Sequence, residues 1–414
     1  MSNKPIRFGI GFATGRKNFK KVLNSYIFNW KESPAAQREN VTLSLFVAYD
    51  LDYSGTSSTD YTNLTQEAVD ELEEIVFLGA KAVKKTSDSL IESGMLTPRE
   101  AKLMFGTGYA AKRNTILYSA IQNQMDYLLF LDDDEYPVAV TNNHGTALWS
   151  GQYVLPHHLA HIQDADITNG YHCGYISPIP QINYDEKLQK QTFRRFIEAI
   201  SNEVVTWDSV ERIMANGGVT YADTTILTQQ QLQSVPLENS CKFITGGNLC
   251  INLTQPLRTF PFYNPPGARG EDTFLSTLLA QHEVVRIPCY AFHDGFSAYK
   301  HLLDGVLPTQ LSAIAGKSNS ITTRFYNACV GWVRYKPLLM YLTQPHLFEQ
   351  QTQQIREDLQ ATLPMVSAYF NKPEFNTILD EFNKYVKNVK SHAKNFNLAQ
   401  QVWAKLMADE NLYI

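Results

Sequence analysis

Tyr127-Leu128-Leu129-Phe130-Leu131 runs without a break into Asp132-Asp133-Asp134-Glu135. A short apolar run that ends in carboxylates has the pattern of a buried strand whose carboxyl end opens into a site. Four adjacent acidic side chains repel one another, so a fold that keeps them together usually holds a cation there. On an extended backbone Asp132 and Asp134 point to the same side. Hard oxygen ligands favour Mg²⁺ or Mn²⁺, which then take further ligands from water and substrate phosphate. The plain alternative is a solvated acidic turn after a strand. Asp133 with Glu135 gives a second register of the same spacing, and Asp132/Asp134 is preferred because it follows directly on the apolar run.

The rest of the N-terminal half alternates in the same way. The pattern predicts a first strand over Ile6–Phe12, a turn at Thr14-Gly15-Arg16, and a helix over Phe19–Trp30 with Val22, Leu23, Ile27 and Trp30 on its apolar face. A second strand is expected over Val41–Val47, ending at Asp50, and helical periodicity covers Leu64–Leu78. Thr97-Pro98-Arg99-Glu100 is a capping box with proline at the first helical position. Gly108–Gln124 reads as the helix that delivers the chain into the Tyr127–Leu131 strand. This rhythm implies right-handed crossovers and a largely parallel sheet, with Asp50 and Asp132 both at carboxyl ends of strands.

Beyond Pro137, strands are expected at Ile167–Ile179, at Lys242–Leu253 with Gly246-Gly247 inside it, and at Glu283–Tyr290. From about Ile321 onward the character changes to helical periodicity with Gln-rich faces. The expected division is therefore an α/β region over 1–300, split near 137, and a helical region over 301–414.

Charge is nearly balanced, 36 Lys+Arg against 41 Asp+Glu for a net −5. That argues against a general nucleic-acid or anionic-membrane surface, since both need a basic excess. Five widely spaced cysteines with no CxxC pair suit reduced, buried thiols of a cytosolic protein. No apolar leader-like stretch opens the chain, and no run of about 18 or more uncharged apolar residues occurs, so the expectation is a cytoplasmic protein without a membrane span.

Three further features carry chemistry. Gly267-Ala268-Arg269-Gly270-Glu271-Asp272 is a glycine-flanked acidic pair opening a helix expected over Thr273–Leu279, where a carboxylate is stabilised by the helix N-terminus or simply caps it. His293-Asp294-Gly295 follows a strand, and its imidazole is either a cation ligand or a structural group. Arg16, Lys112 and Arg113 are candidate diphosphate partners, with solvation as the default for each. Trp149 and Trp207 are candidates for stacking on sugar rings, with core packing the better expectation.

In this order the elements resemble the GT-A-fold glycosyltransferases, in particular the family-2-like group that uses nucleotide-diphospho-sugars. The resemblance covers about two-thirds of the chain, Ile6 to Gly295. It rests on Thr14 to Arg16, on Asp50 with Ser58-Thr59-Asp60, on Gly108…Lys112-Arg113-Asn114, on Asp132 and Asp134, on Gly270-Glu271-Asp272, and on His293. The resemblance implies a GT-A catalytic domain over 1–300, with a nucleotide-sugar half over 1–137 and an acceptor half over 138–300. It implies donor contacts from Thr14, Arg16, Asp50, Arg113, Asn114, Asp132 and Gly247. It further implies a Mn²⁺ or Mg²⁺ site of Asp132, Asp134 and His293, in which Asp132 more often touches the ribose or a metal-bound water. Asp272 would be the general base and Glu271 a hydrogen-bond partner of the acceptor hydroxyls, giving transfer with inversion. Gly246-Gly247-Asn248 resembles the acceptor-side segment, where glycine lets a sugar approach the backbone.

Two departures from the pattern stand out. The stretch from Asp60 to Gly108 is long, so an inserted helical pair is expected over one side of the donor site, and the acidic run is overfull. A retaining GT-A enzyme and a sugar-1-phosphate nucleotidyltransferase are the rival enzymatic readings. The non-enzymatic rival is a binding module in which Arg324–Leu342 lies on a membrane surface or a partner subunit, or mediates self-association.

Overall fold

The structure, a computed structural model, describes residues 4–34, 40–201, 206–316 and 318–409. The strands, in chain order, are β1 (Ile6–Thr14), β2 (Val41–Tyr49), β3 (Leu72–Phe77), β4 (Tyr127–Leu131), β5 (Glu135–Tyr136), β6 (Val138–Asn143), β7 (Thr146–Gly151), β8 (Ile167–Gly174), β9 (Gln233–Ser234), β10 (Leu249–Asn252) and β11 (Val284–His293). The main sheet runs β3-β2-β1-β4-β10-β8-β11-β5, with β9 also on β11, and β6–β7 is a separate hairpin. Pairing is parallel from β3 to β4 and between β8 and β11, whereas β10 is antiparallel to both its neighbours and β5 to β11. The order 3-2-1-4 is that of a Rossmann-like half, so the carboxyl ends of β1, β2 and β4 share one edge.

The continuous apolar run of β4 is explained by its position. It lies between β1 and β10 near the middle of the sheet, and all five of its residues are buried. The helix Phe19–Lys31 covers one face through Val22, Leu23, Ile27 and Trp30, and the helix Tyr109–Gln122 lies against β1 and β2. Thr97 caps the helix Pro98–Phe105 with the reciprocal Thr97–Glu100 bonds that the sequence predicts.

Several elements differ from expectation. Leu64–Leu78 is not one helix: a short helix, Gln66–Asp70, gives way to β3, because Ile75, Val76 and Phe77 pair with β2 at the sheet edge. Lys242–Leu253 is a strand only over Leu249–Asn252, and β8 stops at Gly174, where φ is +88°. The helical pair between Asp60 and Gly108 exists (Ala80–Glu92 and Pro98–Phe105) but does not line the cleft described below. Its Leu90, Met104 and Phe105 enter the core with Ile116, Leu117 and Trp403 instead.

The C-terminal region is helical, with Asn319–Thr343, Phe348–Phe370, Ile378–Lys387 and Val389–Met407 as its main helices. Their apolar faces join the same core cluster as Phe193, Phe196 and Phe274 of the α/β region. Phe325, Val333, Leu338 and Leu339, the apolar residues of the stretch considered for a membrane surface, are buried there. Among the described residues no helix is long and apolar enough to cross a membrane. All five cysteines are free and buried.

Candidate functional site

The acidic run does not continue β4. The chain turns after Leu131, with Glu135 N donating to Asp132 O at 3.2 Å; Asp132 goes to Arg113, Asp133 and Asp134 both go to Arg16, and Glu135 lies by His172. The same-side expectation for Asp132 and Asp134 therefore fails, since it needs an extended backbone.

Asp133 turns inward. It accepts from Thr14 Oγ1 at 2.6 Å and from Arg16 Nη1 at 2.9 Å. Burial raises its carboxyl above the usual range against the pull of Arg16. Asp134 stays at the surface of the site, paired with the same Arg16 guanidinium and 3.7 Å from His293 Nε2. Burial works against its charge, but His293 and Arg16 outweigh it and hold Asp134 below the usual carboxylate range. His293 Nδ1 is fixed against Tyr175 O at 2.9 Å, which leaves Nε2 toward Asp134. Glu135 is buried, with Oε1 2.8 Å from His172 Nε2 but out of hydrogen-bond alignment.

Asp132 meets the most buried arginine among the described residues. Arg113, only 2% exposed, donates from Nη2 to Asp132 at 3.0 Å and from Nη1 to Gly246 O at 2.7 Å, while Nε lies 3.5 Å from Glu271. Its guanidinium lies over the rings of Phe130 and Phe262, at 5.1 and 5.5 Å. One planar fork thus ties the end of β4, the Gly246 loop and the Glu271-Asp272 helix together. Burial and the adjacent carboxylates raise Asp132 well above its usual value, against Arg113.

Asp272 lies on the same latch. Its Oδ2 accepts from Gly246 N at 3.1 Å and its Oδ1 from Thr273 N at 2.8 Å, at the first turn of the short helix Glu271–Ser276. Burial, with Glu271 added, pushes its carboxyl up to about 6 against Arg113 and these two N–H groups. The preceding loop is braced by the C-terminal region: Arg334 Nη1 donates to Gly267 O at 2.8 Å, and Gly270 packs on the Tyr335 ring.

The structure divides the residues expected at the site. Arg16, Asp134 and His293 converge, and Asp132, Glu271 and Asp272 meet around Arg113. Thr14 and Arg113 are committed inward, to Asp133 and to the latch. Asn114 faces away altogether: it accepts from Phe262 N at 2.7 Å and donates to Phe262 O at 3.0 Å. Asp50 pairs with Lys112 at 2.9 Å and accepts from Asp52 N; partial burial opposes its charge, and Lys112 holds it below the usual value. Asp60 accepts from Ser57 N at 2.8 Å, just ahead of its own short helix, and is half-buried. Trp149 donates to Pro308 O, and Trp207 packs on Phe193, so both serve packing.

Gly247 lies close under the Glu135 carboxylate, which a Cβ there would displace. The loop is held from beneath by a network that sequence patterning does not reveal. His158 bridges Thr168 Oγ1 at 2.7 Å and Asn248 Oδ1 at 2.8 Å, and burial drives its imidazole down to about 3, so it is neutral. Asn248 in turn donates to Tyr171 O and Cys289 O.

Gly174 carries a testable consequence. At φ +88°, an added Cβ would meet His293 O at 2.8 Å and the Phe292 ring. Gly174→Ala is expected to cost about 1–3 kcal/mol in urea unfolding. A change under about 0.5 kcal/mol would show that the His293 strap is not tightly packed.

Beside these groups opens a cleft of about 420 Å³, lined by Arg16, Lys17, Tyr53, Asp134, Lys300 and Arg324 among others. Among the described residues, no three His, Cys, Asp or Glu side chains converge as a metal centre. Asp134 with His293 supplies two hard or borderline ligands, a set that suits Mg²⁺ or Mn²⁺ when phosphate and water complete the shell. The Asp134 oxygen involved is the one that also accepts from Arg16, so a metal there takes it from the arginine. Comparison of the sequence with protein-family models and with curated proteins finds no match.

Proposed function

We propose that this protein is a metal-dependent glycosyltransferase of GT-A type, moving a sugar from a nucleotide-diphospho-sugar to an acceptor hydroxyl. One observation carries most of the weight. Asp134 and His293, from opposite halves of the sheet, meet at 3.7 Å beside a cation-lined cleft at the carboxyl ends of β1 and β4. Asp50 lies at the adjacent end of β2, where open α/β sheets take ligands. Its carboxylate and the exposed Tyr53 ring suit a nucleobase edge and face, and uracil is the base expected.

Mn²⁺ or Mg²⁺ bound at Asp134 and His293 would act as Lewis acid on the diphosphate. The protein supplies the remaining chemistry. Asp272, held between Gly246 N and Thr273 N, accepts the acceptor proton as the hydroxyl attacks. Glu271 hydrogen-bonds the acceptor. Arg113 keeps Asp132, Gly246 and the Glu271-Asp272 pair in one arrangement, so that base and donor end stay in register. Attack opposite the leaving group inverts the anomeric centre.

The test is product analysis. The protein is incubated with Mn²⁺, a panel of nucleotide-sugars and candidate acceptors, and the anomeric configuration is read by proton NMR. Inverted product supports the full assignment. Retained configuration supports the retaining alternative and removes Asp272 as base. No turnover of any nucleotide-sugar, even by hydrolysis, would overturn the proposal.

A further inference from the structure

Among the described residues, three cations line the cleft without an ion pair. Lys17 follows Arg16 in the turn after β1, Lys300 opens the short helix Lys300–Asp304 beyond His293, and Arg324 lies near the start of Asn319–Thr343. Among the described residues none of the three has a carboxylate within salt-bridge distance, whereas Arg16 is shared between Asp133 and Asp134. The Arg324 guanidinium rests on the Phe296 ring at 5.1 Å, a contact that leaves its N–H edges available.

The position is electrostatically incomplete. Burial presses against the Arg324 charge; Asp134 supports it, while Arg16 and Arg269 oppose it. A partly buried guanidinium has five donors to satisfy, and an anion with several oxygens does so best. A lone carboxylate would answer only one of the three cations, whereas two linked phosphates carry enough charge to balance all of them. Tyr53, Ser54 and Ser297 add hydroxyls to the same walls.

We propose that Arg324, Lys300 and Lys17 form a clamp for the diphosphate of the nucleotide donor, so that the C-terminal helical region contributes a catalytic group. The identity of that diphosphate rests on the glycosyl-transfer reading above. As the anomeric C–O bond breaks, its electron pair passes to the β-phosphate oxygen. The acceptor oxygen bonds to the anomeric carbon, and its proton passes to Asp272. The clamp meets the charge that accumulates on the leaving diphosphate.

Calorimetric titration of the full chain with inorganic pyrophosphate, in chelator, isolates the clamp from any metal. The wild type is expected to bind, and Arg324→Ala to bind about tenfold or more weakly at an unchanged melting temperature. Arg324→Lys should recover only part, because a point charge replaces a fork. Lys300→Ala, an exposed change that leaves the core untouched, should weaken binding by a smaller factor and tests the clamp even if the arginine variants fold poorly. No binding by the wild type, or equal binding by these variants, overturns the clamp. UDP with Mn²⁺ separates the two claims: equal affinity with and without Arg324 keeps glycosyl transfer and removes the clamp. Arg324-dependent pyrophosphate binding without turnover of any nucleotide-sugar leaves an anion site but overturns its assignment to a donor.

Discussion

Asp272→Asn is expected to bind nucleotide as the wild type does and to lose about 10²–10⁴-fold in transfer rate. The amide oxygen keeps one of the two bonds, to Gly246 N or Thr273 N, and the amide NH2 forfeits the other, so a modest loss of stability accompanies the loss of the base. The pH profile supplies the sharper signature. Only the ionised carboxylate accepts a proton, and burial with Glu271 pushes Asp272 up to about 6. The wild-type kcat/KM should therefore rise with pH through that value and level off above it, and the residual rate of Asp272→Asn should lack this rise. A variant that keeps more than about a tenth of the rate, with the rise intact, would move the base elsewhere.

Arg113→Met is the corresponding experiment on stability. Methionine fills much of the volume between Phe130 and Phe262, but it leaves Asp132, Glu271 and Gly246 O without their shared donor. Removing one partner of a buried charge cluster costs about 3–5 kcal/mol, because the remaining charges stay desolvated. Urea unfolding should show that loss, and Arg113→Met with Asp132→Asn should recover part of it. Arg113→Lys should not rescue, since an ammonium cannot reach three acceptors in one plane. A loss under about 1 kcal/mol would mean that the latch is not what ties the two halves of the site together.

These two residues also mark how far the sequence carries. The strand before Asp132, the order of the elements and the capping box at Thr97 follow from local rules, because hydrophobic periodicity and capping act within a few residues. That Asp134 meets His293, and that Arg113 meets the Glu271-Asp272 pair, follows from the order of the elements. Their directions do not. Whether Asp132 and Asp134 share a side depends on a turn that the acidic run gives no sign of. Arg113 and Asn114 face inward because the helix Tyr109–Gln122 is buried on nearly all sides, so its periodicity says little about which face meets the cleft.

Leu72–Phe77 reads as helix by spacing and forms a strand because the sheet edge at β2 accepts it. Such a tertiary choice outweighs local preference. Arg324 stands in the sequence only as the start of the stretch considered for a membrane or partner surface, with nothing that ties it to the cleft. Only the packing of the C-terminal helices on the α/β core brings it to the cleft.

The most direct test of the central claim is a thermal-shift comparison of wild type and Asp134→Ala against UDP, GDP and TDP, each with and without Mn²⁺. A ligand at about 100 times its Kd adds about 2.7 kcal/mol to the folded state, which appears as a raised Tm. The expected result is a metal-dependent rise with one nucleoside diphosphate in the wild type and none in Asp134→Ala. No rise with any nucleotide and any metal, or a rise that Asp134→Ala retains in full, would contradict a metal–diphosphate site at Asp134 and His293.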